Sequence, residues 1–99
     1  MLDFYLIQDS HNISSKGLTL ERFGGMEYEA IIELQAAGII ESWLDYYGKF
    51  RWGNELIIRK QQQMSQLPKA AVDPSTRIVF AALLQRAAQA HCGLLAQGD

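Results

Sequence analysis

The sequence predicts a mainly α fold: a small single-domain bundle of about four helices, with an N-terminal extended segment. Three observations predict it. Helix punctuation recurs along the chain, where Gly25, Gly38, Gly48, Pro68 and the pair Asp73-Pro74 bound stretches of helical apolar spacing. The stretch "RIVFAALLQRAAQAHCGLLA" is apolar around most of its circumference, as a covered central helix would be. Only one segment, "LDFYLI", reads as extended, and no second strand is evident to pair with it. At 99 residues the chain has room for one hydrophobic core, so residues 1–99 are taken as a single domain. Residues 1–25 are then an extended arm and loop, and residues 26–97 a helical core.

The elements follow in order. "LDFYLI" (2–7) is aromatic and branched, and is expected as a strand or an arm lying on the helices. Residues 8–25 are polar, with "SSKG" and "GG" as breakers, and read as a loop. A first helix follows Gly25. Tyr28, Ile31, Ile32 and Leu34 gather on one side and Glu29 and Glu33 on the other. A helix continued straight through Gly38 would place those glutamates on one face with Ile40, Trp43 and Tyr47, so a break is expected there with Gly38 as the residue after the C-cap. A short second helix, Ile39 to Tyr47, would turn Ile40, Trp43, Leu44 and Tyr47 inward. "KFRWG" reads as a connector. A third helix runs from an Asn54 cap to about Leu67, with Leu56, Ile57, Met64 and Leu67 as its apolar side and "RKQQQ" as its wet side. Asp73 at the N-cap and Pro74 at the first helical position open the fourth helix, which runs to about Cys92 or beyond.

Net charge is −2, but it is unevenly spread. Residues 1–48 carry eight acids and two bases, whereas residues 49–99 carry three acids and seven bases. Between Arg22 and Lys49 stand Glu27, Glu29, Glu33, Glu41 and Asp45 with no base among them. Such a division places opposite potentials on different parts of one small domain. The longest uninterrupted apolar run, Ile78 to Leu84, is far too short to span a bilayer. The N-terminus lacks the basic region of a signal peptide, and one cysteine excludes an internal disulfide, so a reducing cytoplasm is the expected location.

No residue pattern carries catalysis. Asp9, Ser10 and His11 are consecutive, so their side chains diverge rather than form a triad. His91 and Cys92 point about 100° apart on a helix, with Cys92 expected in the core and His91 at its edge. Two histidines and one cysteine do not make a structural zinc site. Glu29 and Glu33 share a helix face, as a glycosidase or metal site needs, but so do acids on any exposed helix. Gly24-Gly25 before a helix could hold a phosphate on free N–H groups, yet Glu27 brings the wrong charge. No enzyme activity, metal or cofactor is therefore expected.

Two binding readings remain. Lys49, Arg51, Arg59 and Lys60 lie close in sequence to Phe50 and Trp52, the mixture that stacks and neutralises single strands of nucleic acid. "LQAAGIIESWLDYYGKFRW" also has a winged-helix flavour, but the helix ahead of the would-be wing is the acidic one. A small nucleic-acid-binding or transcription-regulatory domain is the alternative. The leading reading is a protein-binding surface. Trp43, Tyr46, Tyr47, Phe50 and Trp52 crowd into "WLDYYGKFRW". Trp43 and Tyr47 are assigned to the core, one of Phe50 and Trp52 to the interior and the other nearer the surface, and Tyr46 to the flank beside Glu41 and Asp45. Acids give steering and an exposed aromatic gives an anchor.

"LDFYLI", the glycine pair before an acidic helix, and "YGKFRW" leading into "ELI" resemble small bacterial immunity-type proteins associated with polymorphic or secretion-system toxins. The resemblance covers a minor part of the chain and supplies no catalytic residue. It implies a function by binding: neutralising a cognate toxin by covering its active site or another surface it needs. Against a basic nuclease, an acidic face with tyrosines would stand in for phosphates. The partner-binding residues expected on this reading are Glu29, Glu33, Glu41, Asp45, Tyr46 and Trp52.

Overall fold

A computed structural model of the chain describes residues 2–8, 22–44 and 48–98. It overturns the helical bundle. Among the described residues three helices pack with a four-stranded sheet in the order β1 (Leu2–Ile7), β2 (Arg22–Met26), α1 (Tyr28–Ala36), β3 (Lys49–Trp52), α2 (Asn54–Gln66), α3 (Pro74–Gln89) and β4 (Gly93–Gln97). The strands lie in the order β2-β1-β4-β3, and every neighbouring pair is antiparallel. The supposed arm is thus a central strand, and the supposed tail of the last helix is the strand beside it. The helical core expected over residues 26–97 contains β3 and β4.

Alternation along the strands assigns two faces to the sheet. On the inner face Phe4, Ala96 and Phe50 stand in one cross-strand row, and Leu6, Leu94 and Trp52 in the next. These residues belong to or pack against a core cluster that also takes Ile31 and Leu34 from α1, Ile57 and Met64 from α2, and Phe80, Leu83, Leu84 and Ala87 from α3. On the other face Asp3, Gln97 and Lys49 form one row and Tyr5, Leu95 and Arg51 another. Polar residues in those rows are what an antiparallel sheet with one wetter face calls for. Arg51 reaches along that face to donate to the Gln8 carbonyl at 2.8 Å. Ile7, Leu95 and Cys92 are buried outside the main cluster.

Two glycines fit the sheet to its surroundings. A Cβ on Gly24 would lie 2.6 Å from Leu83 Cδ2, so the bare backbone of β2 lets α3 approach. A Cβ on Gly93 would lie 2.1 Å from the Trp52 carbonyl oxygen, so β4 can begin there only without a side chain.

The helix termini follow local chemistry closely. At the end of α1, Gly38 has φ +80°, its N–H donates to Gln35 O at 3.1 Å, and the Ile39 N–H donates to Leu34 O at 3.0 Å. This is a Schellman closure with Gly38 at the position after the C-cap, as the sequence predicts. The same closure ends α3 early. His91 takes φ +54°, its N–H donates to Ala88 O at 3.1 Å, and the Cys92 N–H donates to Ala87 O at 2.9 Å. The helix therefore stops at Gln89 instead of running past Cys92, and the chain turns into β4. Cys92 is buried and His91 exposed, as expected.

Asp73 caps α3 by accepting from the Ser75 N–H at 2.9 Å, with Pro74 at the first helical position. The Ser75 hydroxyl and then its N–H hold the Asp73 carboxyl below the usual range. Asn54, expected as the cap of α2, is instead its first helical residue. Gly53 holds the cap position, and Asn54 Nδ2 donates to the Cys92 carbonyl at 2.9 Å, tying α2 to the start of β4. Arg77 closes the other end of α2, donating to the carbonyls of Met64, Leu67 and Pro68.

Two helix assignments change. α3 is not enclosed: Phe80, Leu83, Leu84 and Ala87 are buried, but Ile78 and Val79 are open to solvent. The helix expected over Ile39 to Tyr47 does not form across residues 39–44, and Tyr47 lies outside the described residues. No helix among the described residues is long and apolar enough to cross a membrane.

Candidate functional site

The segment after α1 is built from both sides. The Schellman closure sends Ile39 and Ile40 down into the core, where both are buried. Glu41, Ser42, Trp43 and Leu44 then form a turn, closed by the Leu44 N–H donating to Glu41 O at 3.2 Å. From α1, Gln35 Nε2 donates to Glu41 O at 3.1 Å and to Leu44 O at 3.3 Å, gripping both ends of the turn. From α2, Lys60 Nζ donates to Ile39 O at 2.8 Å and to Glu41 Oε1 at 2.9 Å.

Lys60 is only 3% exposed. Its ammonium sits 4.6 Å from the centre of the Trp52 ring, so carbonyl, carboxylate and aromatic face together replace the water it has lost. The expectation that "RKQQQ" is wholly wet fails at this residue. Ile57, Lys60 and Met64 share one stripe of α2 and are all buried. Glu41 Oε2 is buried and finds no hydrogen-bond partner among the described residues.

The pinned turn carries Trp43 out into solvent. Its 79% exposure corrects its assignment to the core. The reverse correction applies to Trp52, which is 3% exposed rather than near the surface. Trp52 lies against Phe4, Phe50 and Phe80 with ring centres 6.2, 5.1 and 6.1 Å away. Residues two apart on a strand share a face, so Phe50 and Trp52 both turn inward. With Trp52 and Lys60 in the interior, the basic-aromatic platform proposed for nucleic acid loses its central members. Lys49, Arg51 and Arg59 remain at least partly exposed, and Arg59 pairs with Glu55 at 3.7 Å on the α2 surface.

The other expected partner-binding residues separate. Glu29 is exposed on α1. Glu33 is half-buried and accepts from the Asp73 N–H, bracing the entry to α3. Glu41 is committed to Lys60. Asp45 and Tyr46 lie outside the described residues, as does the Asp9-Ser10-His11 run. Sequence reasoning missed Gln35, Lys60 and the exposure of Trp43. The stripe of Ile57, Lys60 and Met64 was the readable sign for Lys60. Gln35 could not be found this way, because its partners are carbonyls of a turn that no local pattern marks.

Open cavities lie elsewhere among the described residues. One of about 270 Å³ lies between the N-terminal ends of α1 and α3, lined by Met26, Glu27, Ala30, Ser75, Thr76 and Val79. Another, about 300 Å³, lies between α2 and α3 and takes in Met64, Arg77 and Leu84. Arg77 there is already used on backbone carbonyls. Among the described residues no three His, Cys, Asp or Glu side chains gather as metal ligands. In comparisons with known proteins, no family model, no curated protein and no solved structure matches the chain.

Proposed function

We propose that this chain is a protein-binding module, an immunity-type inhibitor that neutralises a bacterial toxin by docking the acidic side of α1 and the Trp43 turn onto a basic surface. One observation carries the reading: an indole 79% exposed on a turn that is hydrogen-bonded from two helices. A turn whose backbone is held before binding loses little backbone freedom on docking, which favours an anchor residue mounted on it. The exposed carboxylates of Glu27, at the N-cap of α1, and Glu29, in its first turn, stand at the start of the helix that grips this turn. They supply steering toward a basic partner. The reading gives Trp43 the anchor's place expected of Tyr46 and Trp52.

The test is co-expression with the product of the neighbouring gene, scored by growth, together with binding kinetics between the two purified proteins; a neighbouring product that is not toxic to the cells also defeats the reading. Wild-type protein protects the cells. Trp43→Ala removes protection and speeds dissociation, whereas Glu29→Lys slows association and alters its salt dependence. Protection that survives both substitutions, or a complex whose kinetics neither substitution changes, defeats the reading.

A further inference from the structure

We infer that Lys60 is the positioning residue of the Trp43 turn, a buried strut through which α2 and the core set where that indole stands. The inference deepens the proposed function and depends on it only for the turn's use in docking; the strut itself can be tested on the free protein.

Three contacts define the strut. Trp52, packed among Phe4, Phe50 and Phe80, is a fixed platform. Lys60 Nζ lies over that ring at 4.6 Å and spends two of its three donors on the segment ahead of Trp43: Ile39 O at 2.8 Å and Glu41 Oε1 at 2.9 Å. Glu41 is also the first residue of the turn, so its side chain is held by Lys60 while its carbonyl is held by Gln35 and by the Leu44 N–H. A single cation thus links the buried tryptophan to the turn that presents the exposed one. A neutral residue would fill the same space, as Met64 does one turn further along this face. It would leave the Ile39 carbonyl and the Glu41 carboxylate with nothing to hold them in register.

Amide hydrogen exchange reads this directly, because the Ile39 and Ile40 N–H groups donate back to Leu34 O in α1 and the Leu44 N–H donates to Glu41 O across the turn. Lys60→Met should speed exchange at these three amides by about tenfold or more, beyond any change shared with Leu94 and Leu95 in β4. Glu41→Gln keeps the shape and weakens only the charge-assisted bond. It should give a smaller rise confined to the same amides, and it serves if the methionine variant does not fold. Exchange that is unchanged, or that rises equally in β4 and in the segment, overturns the strut. Against the toxin partner, Lys60→Met should weaken binding when Trp43 is present and add no further loss in the Trp43→Ala background. Additive losses would show that Lys60 does not act through Trp43. A local rise in exchange with unaltered toxin binding would instead uphold the strut in the free protein and defeat the use of this turn for docking.

Discussion

Trp43 and Trp52 come from one aromatic-rich stretch, yet Trp43 is 79% exposed and Trp52 is 3% exposed. Each is placed by its local backbone. Trp43 occupies a turn whose carbonyls accept from Gln35 and whose entry is held by Lys60 through the Ile39 carbonyl and the Glu41 carboxylate, so the backbone is fixed while the side chain projects away. Trp52 occupies a strand in register with Leu94, so the pleat directs it into the core beside Phe50. The contrast teaches that a dense run of aromatics has no single purpose. Its members divide by backbone geometry, and the charged residues nearby divide with them: Lys60 goes inside with Trp52, and Glu41 bridges the two environments.

The largest expected effect breaks the buried half of that contrast. Trp52→Ala removes an aromatic that touches three other rings and the Lys60 cation. It should cost about 3–5 kcal/mol in denaturant unfolding. A loss below 1 kcal/mol would mean that Trp52 is not the platform described. Gly93→Ala attacks the same seat from the neighbouring strand. The new Cβ meets the Trp52 carbonyl, a backbone atom that cannot move alone, so a cost of about 1–3 kcal/mol is expected. Gly24→Ala meets only the end of the flexible Leu83 side chain, and its cost should be smaller than that of Gly93→Ala in the same measurement.

A substitution at the head of β4 should act in the opposite direction. His91 is exposed and holds φ +54°, a conformation that disfavours residues carrying a Cβ. Replacing it with glycine relieves that cost while increasing the freedom of the unfolded chain. His91→Gly should raise stability by about 0.5–1 kcal/mol, read as a higher denaturation midpoint at constant slope. Gly38 occupies the equivalent position after α1, and Gly38→Ala should lower stability, because its φ of +80° then has to be held by an alanine.

What the sequence revealed and what it concealed separate along the same line. The Gly38 closure, the Asp73-Pro74 start and the span of α2 were legible, because each depends on residues adjacent in the chain. The strands were not. β3 has four residues, β4 reads "GLLAQ" without one β-branched side chain, and β2 carries two glycines that look like breakers. Their strand character comes from pairing with β1 and with one another, which no local window contains. The alternation of Lys49 and Arg51 with Phe50 and Trp52 is the readable sign of β3, but with no partner strand in view the same residues read equally as a connector with aromatics facing opposite ways. At the site, the charge division along the chain did not reveal that Glu41 pairs with Lys60 or that Glu33 accepts from the Asp73 N–H. The turn was not legible either, because Lys60 lies far along the chain from the Ile39 carbonyl that it holds.

The smallest expected effect on stability belongs to Trp43. An exposed side chain contributes little to the folded state, because most of its apolar surface stays in water before and after folding. The turn's own bonds use the Glu41 and Leu44 backbones and the Gln35, Glu41 and Lys60 side chains, none of which involves the indole. Trp43→Ala should therefore change unfolding free energy by less than about 0.5 kcal/mol. The amides of Ile39, Ile40 and Leu44 should keep their wild-type exchange rates. That combination makes it the informative variant for the proposed function, since any loss of binding to a partner would then belong to the indole and not to a damaged fold. A loss of stability comparable with that of Trp52→Ala would erase the contrast between the two tryptophans and return Trp43 to the core.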